Sequence, residues 1–285
     1  MSCLTRDKGA RDEEREIISS LVPRPSLPVP VKMTKPEIII REVETIEEMR
    51  ECIDLQRTVF ASPDMEISPV RHLIVARYAG GFTMGAYLGE RLVGFVLSLP
   101  MFLKNSRERA FYSHMTAVDT SLQSLGIGTK LKWAQRERAL AEGANYIKWT
   151  YQPVLARNAF FNIERLGVTI DTYMPNYYGT DAEASAEQKS AQEGVDSDRL
   201  FADWHLLSPK VIALSKGEKF VETGEVVRAV EIPPDWNELV VRDTKKAIAE
   251  QARIKHEFQT AFADGLIVRG FERSETNPKY LLYKK

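Results

Sequence analysis

The residues best suited to chemistry lie between positions 112 and 131. In LQSLGIGTKL, residues 122–131, Gly126 and Gly128 stand two apart, between one apolar run and a second with helical spacing. A helix that starts there leaves backbone N–H groups without intrahelical partners and adds about half a unit of positive charge, so it can hold a phosphate if the backbone comes close. Glycine permits that approach. Two phosphate-binding loops do not fit. The nucleoside-triphosphate loop needs Gly-Lys-Ser/Thr after a longer glycine-rich run, whereas Gly128 is followed by Thr129-Lys130. The dinucleotide loop needs a third small residue where Leu131 stands, and an acid at the end of the next strand, where Lys148-Trp149-Thr150 has none. Just upstream, Tyr112, His114 and Thr116 alternate along a strand and are expected on one face. A histidine ionising near 6.5 can accept a proton at neutral pH, or it can be a hydrogen-bonded core residue. No spacing matches a metal site, and no metal is expected.

The elements around these residues follow from periodicity. Ile38–Ile40 predicts a strand, and Thr45-Ile46-Glu47-Glu48 a capping box opening a helix with Ile46, Met49, Ile53 and Phe60 on one stripe. A second short helix after Ser68-Pro69 stops at Gly80-Gly81. Thr83–Leu88 and Leu92–Leu99, joined through Gly89-Glu90, predict a hairpin. Ala110–Val118 is a further strand, followed by a helix ending at Gly143, a strand at 146–151, a helix at 155–166 and a strand at 168–173. Residues 179–199 contain almost nothing apolar and read as a flexible loop before a strand at 200–207. Beyond Pro209, a strand at 226–232, a helix at 236–263 and strands at 266–271 and 280–283 repeat the element order of residues 146–207. The expected organisation is a mobile proline-rich tail at 1–35, a domain at 36–207 and a C-terminal α/β extension at 208–285.

Composition bounds the partners. The 39 Lys and Arg nearly balance 40 Asp and Glu, so no basic field gathers nucleic acid or acidic membrane, and neither partner is expected. Two cysteines, Cys3 and Cys52, make no disulfide framework, as in a reducing compartment. No apolar run approaches the roughly 20 residues that span a bilayer. The opening MSCLTRDKGARDEEREI is too charged for a secretory signal, so a cytoplasmic location is the expectation.

The stretch from Val118 to Leu131 resembles the GNAT acetyltransferase pattern Arg/Gln-x-x-Gly-x-Gly/Ala, with Gln123, Gly126 and Gly128 at its defining positions. The surrounding elements agree, as does AFFNIERLG at 159–167, where the family has its second helix. The run from Trp149 to Gly179, with Ser208-Pro209 after it, is similar to a branch of that superfamily carrying a C-terminal extension. The resemblance covers residues 37–207. It implies an α/β fold with a mixed, mostly antiparallel central sheet flanked by helices, and makes the extension a possible half-repeat. It also implies acetyl-CoA or another acyl-CoA as co-substrate, with the backbone of Met115, Thr116, Ala117 and Val118 along its arm. Gln123, Ser124, Leu125, Gly126, Ile127, Gly128 and Thr129 would wrap its diphosphate. The N–H of Thr116 would face the acyl oxygen.

The expected reaction is transfer of the acyl group to an amine of a small molecule or protein, neither acceptor nor oligomeric state being readable. His114 is the candidate base, and Tyr112 stands where histone-type members have a glutamate. Where many members carry a tyrosine acid, this chain has Ile163, which cannot donate a proton. Tyr151, Tyr173, Tyr177 and Tyr178 are its possible replacements or else packing residues. Asn158 and Asn162, four apart, offer polar contacts to the cofactor arm or stand as solvated or capping amides. Lys130, Lys132 and Arg157 are either contacts for the ribose phosphate or solvated charges. The alternative function is an acyl-CoA-binding sensor without turnover. A nucleotide-binding α/β protein is the third reading.

Overall fold

A computed structural model of the chain describes residues 37–60, 64–180 and 194–285. The expected tail at 1–35 lies outside them, as do residues 181–193 of the polar stretch. Strand β1 (Ile38–Glu42) leads into helix α1 (Ile46–Phe60) through the predicted capping box. Glu48 N donates to Thr45 Oγ1 at 3.1 Å, and Thr45 N donates to Glu48 Oε2 at 3.1 Å, so two orphan amides at the helix start are satisfied reciprocally. Within the predicted stripe Met49 and Ile53 are buried, whereas Ile46 and Phe60 are exposed.

Helix α2 (Val70–Tyr78) is followed by β2 (Phe82–Leu88), β3 (Arg91–Phe102) and β4 (Arg109–Val118). Helix α3 (Ile127–Ala141), β5 (Tyr146–Tyr151) and α4 (Ala156–Phe160) come next. A π-helical turn, Phe161–Leu166, continues α4 as far as Gly167. Strands β6 (Tyr173–Met174) and β7 (Arg199–His205) complete a seven-stranded sheet in the order β1-β2-β3-β4-β5-β7-β6. Its neighbours are antiparallel except β4 and β5, which run parallel. This is the expected mixed sheet. One face packs on α3 through Phe111, Ile127, Leu131 and Ile147, and the other packs on α1 and α2 through Cys52, Leu73, Phe95 and Ala117. Burial pushes the Cys52 thiol up to about 12, so it behaves as a core apolar group.

The extension contains α5 (Pro209–Ser215), β8 (Arg228–Glu231), α6 (Trp236–Arg242), α7 (Thr244–Ala263), β9 (Leu266–Glu272) and β10 (Lys279–Lys284). Helix α5 was not expected, and the single helix expected at 236–263 is two. Asp243 breaks it and caps α7 by accepting from Lys246 N at 3.0 Å. The three strands form an antiparallel sheet in the order β8-β10-β9. In the first sheet, β5, β6 and β7 likewise stand as first, third, second, again antiparallel. The element order and the spatial order of the half-unit therefore both recur. The two sheets meet where Ile170, just before β6, exchanges backbone hydrogen bonds with Val268 of β9 at 3.2 and 2.9 Å.

Candidate active site

Strands β4 and β5 pair only at Phe111↔Ile147 and Tyr112↔Lys148, and beyond that the ladder ends. A bulge explains the divergence. Leu97 faces Met115 and Ser98 faces Ser113, so His114 is an extra residue on β4. Before it, Phe111 packs on the α3 face; after it, Ala117 packs on the α1/α2 face. The strict alternation expected for Tyr112, His114 and Thr116 is thus broken at His114, since a bulge shifts the side-chain parity by one residue.

The gap between the strands opens into a cleft of about 1150 Å³. At one end lies the mouth of α3. Gly126 caps that helix with φ +81°, a left-handed conformation that disfavours side chains, and nothing stands within 4 Å of where a Cβ would be. Lys130 N makes the first intrahelical bond, to Gly126 O at 3.1 Å, which leaves the amides of Ile127, Gly128 and Thr129 without intrahelical acceptors. Gln123 Nε2 donates to Val118 O at 3.2 Å and ties the loop to the end of β4. Asp119 fixes the turn before it, accepting from Ser121 N at 3.0 Å and pairing with Arg91. Ser124 is held in a left-handed conformation at φ +67° and accepts from Arg157 Nη2 at 3.3 Å. Leu125 is exposed beside it.

Met115, Thr116 and Val118 line the cleft along β4, and Asn158 lines it from α4; Ala117 points into the core instead. Asn162 lines the cleft but is buried, its Oδ1 accepting from Trp149 Nε1 at 3.2 Å. Its amide therefore fixes an indole as well as facing the gap. Ile163 is fully buried in the core.

At the closed end of the gap sits a residue expected elsewhere. Lys132, read from the sequence as either a contact for the ribose phosphate or a solvated charge, is 3% exposed on the floor of the cleft. Its Nζ donates to Ser113 Oγ at 2.8 Å and to Gln135 Oε1 at 3.1 Å, and lies 3.7 Å from the centroid of the Trp149 ring. Gln135 Nε2 in turn donates to Ser98 Oγ at 2.7 Å. Burial alone pushes the Lys132 pKa down to about 7.

His114, at the bulge, lines the cleft, its ring 5.4 Å from the ring of His72 on α2. Desolvation, and then the neighbouring His72, lower its pKa. Tyr112 is half-buried near Thr150, Tyr177 and Tyr178, and burial raises its pKa. It does not line the cleft, whereas Tyr178 and Arg199 do. Tyr151 lines the cleft as well; Tyr173 does not, its Oη donating to Asp198 Oδ2 at 2.6 Å just ahead of β7 and its ring lying 5.8 Å from that of Phe258 on α7. The mouth carries Arg157, Arg165 and Arg273; the last comes from the hairpin between β9 and β10 and lies 4.7 Å from the Phe160 ring centroid. Arg165 and Arg273 carry no motif that would have singled them out. Lys130 is exposed and does not line the cleft. Among the described residues no group of three potential metal ligands comes together, and no helix is long and apolar enough to cross a membrane.

Residues 46–167 match the model of the acetyltransferase (GNAT) family. Solved structures similar to the chain include the ribosomal-protein-S18-alanine N-acetyltransferase of Escherichia coli, 14% identical over 67% of this chain and 99% of that one, with a TM-score of 0.45. Salmonella typhimurium yncA, solved with its cofactor acetyl-CoA, is 13% identical over 60% and 97%, with a TM-score of 0.48. The aminoglycoside acetyltransferase meta-AAC0020, from an uncultured soil metagenomic sample, is 23% identical over 44% and 84%, with a TM-score of 0.40. No curated protein matches the chain significantly.

Proposed function

Because residues 46–167 match the acetyltransferase (GNAT) family, we propose that this protein transfers an acyl group, in the first instance acetyl, from coenzyme A to an amine. One observation carries the reading: the splayed pair β4/β5 and the glycine-capped mouth of α3 open into the same cleft. Open space at Gly126 and the amides of Ile127, Gly128 and Thr129 suit a diphosphate, which a helix start holds by N–H donation and dipole. The unladdered edge of β4 from Ser113 to Val118 suits an extended amide-bearing arm, which adds to a strand edge by main-chain bonding. Arg157, Arg165 and Arg273 supply positive charge at the open end, where the nucleotide phosphate of the carrier would lie.

Amide formation needs a neutral amine, a stabilised carbonyl oxygen and a protonated leaving thiolate. The Thr116 backbone serves the oxygen in this reading. His114, beside the cleft with a lowered pKa, is neutral at physiological pH and able to accept the proton of an arriving ammonium. The full burial of Ile163 favours a second reading, an acyl-CoA-binding sensor that does not turn over.

Calorimetry with CoA and acetyl-CoA, with NAD and ATP as controls, tests the ligand. Saturable binding of the first two and none of the controls is expected; the reverse overturns the assignment. Release of free thiol on adding a panel of amines then separates enzyme from sensor.

A further inference from the structure

Helix α3 buries Ile127, Leu131 and Ala139 against the sheet, and on the same inner side it buries Lys132. Its other buried cation, Arg136, is satisfied by two bonds to Leu206 O at 3.0 and 2.9 Å. Lys132 is different. Its hydrogen-bond partners, Ser113 and Gln135, are neutral, and among the described residues no carboxylate pairs with it. An ammonium taken out of water without a counter-charge is costly, and apolar neighbours would pack there without that penalty.

The position narrows its role. Ser113 and Trp149, which flank Nζ, are the first residues after the last β4/β5 pair, so the ammonium stands at the apex of the V. Lys132 lies four residues beyond Gly128 on α3, about 6 Å along the axis at about 1.5 Å per residue. A carrier held by its diphosphate at the helix mouth and running between the strands brings its thioester end toward this apex. Acyl transfer creates an anion there, and the residue at the expected acid position, Ile163, has no proton to give.

We propose that Lys132 is a catalytic residue of acyl transfer, its ammonium donating a proton to the sulfur of the departing coenzyme at the apex of the cleft. This rests on the acyltransferase reading above. The acceptor nitrogen bonds to the thioester carbon and the carbonyl π pair moves to oxygen. As the carbonyl re-forms, the carbon–sulfur bond breaks with its electron pair on sulfur, which takes the proton from Nζ. The acceptor nitrogen, now in an N-protonated amide, gives its extra proton through cleft water to the neutral Nζ, so the net proton moves from amine to thiol. A pKa pushed down to about 7 populates both forms of Lys132 at neutral pH, as a group that gives and regains a proton requires. Ser113 and Gln135 hold the group in place, and the Trp149 face tolerates its charge.

The test needs no acceptor. The thiol of CoA bound to the intact protein is titrated by thiolate ultraviolet absorbance, beside free CoA and beside Lys132→Met and Lys132→Gln. An ammonium in contact with the sulfur should lower the bound thiol's pKa by about one to three units. In the variants, with fold checked by circular dichroism and CoA affinity by calorimetry, that shift should vanish while binding stays within several-fold. The glutamine variant keeps a hydrogen-bonding group for Ser113 should methionine disturb the fold. CoA that binds the wild-type protein with an unshifted thiol overturns the role of Lys132 and leaves the acyltransferase reading standing, as does a shift retained in either variant. Failure of the wild-type protein to bind CoA removes both.

Discussion

Burying an ammonium lowers its proton affinity in the folded state alone, so Lys132 couples stability to pH. Its pKa falls from 10.5 to about 7 on folding, and between those values the unfolded chain binds more protons than the native one. Stability should therefore gain a contribution as pH rises from about 7 to about 10.5, and Lys132→Met should flatten that rise. Urea unfolding at a series of pH values checks it; an unchanged slope in the variant contradicts the burial penalty. Gly126→Val is a second residue-scale case. At φ +81° the branched side chain costs about 1–3 kcal/mol of strain and also stands in the open cradle, so CoA affinity should fall at least tenfold in calorimetry while the sheet core is untouched. Gly126 and Gln123 were legible because a backbone conformation and a loop tie demand particular residue types. Lys132 was not, because a lysine on a helix ordinarily reads as solvated. The available signal was its place beside Leu131 and Gln135 on the stripe that α3 turns inward.

At the scale of elements, caps and turns carry the clearest instructions. The reciprocal bonds of Thr45 and Glu48 start α1, and Thr45→Ala should cost about 1 kcal/mol, seen as a lower thermal midpoint. Glu48 is held at about 2: burial opposes this, but Arg41 and the amides of Glu44 and Thr45 outweigh it. Its contribution is thus complete above its ordinary value of 4.5 and is lost as pH falls toward about 2. Acid titration of wild type and Glu48→Gln should show the variant losing less stability across that window. Strand β5 and the hairpin β2/β3 were readable from apolar runs and the glycine turn. The bulge at His114 was not, since one extra residue leaves the composition of a strand unchanged. Ser208-Pro209 is the sequence signal for a further helix start: Ser208 Oγ accepts from Val211 N at 3.4 Å and Pro209 opens α5. Asp243 likewise marked the break before α7, where a long apolar period concealed it.

At the scale of the whole molecule, a seam of hydrogen bonds ties the C-terminal extension to the elements around the cleft. Tyr280 of β10, fully buried, donates from Oη to Pro153 O at 2.7 Å, just ahead of the helix that walls the cleft. Phe271 N donates to Glu164 Oε1 at 2.8 Å on the same helix's continuation. Tyr280→Phe leaves a buried carbonyl unpaired and should cost about 1–3 kcal/mol in denaturant unfolding, although residue 280 lies far in sequence from the cofactor loop. Element order made the recurrence visible in the sequence, but the matching strand order depends on which edges pair, and side-chain patterns do not encode that. The exchange between Ile170 and Val268 has a further consequence. A sheet margin that ends in bare amides and carbonyls invites a neighbouring chain, and here that invitation is answered from within the same polypeptide. Because the two sides are covalently tethered, no dilution can separate them.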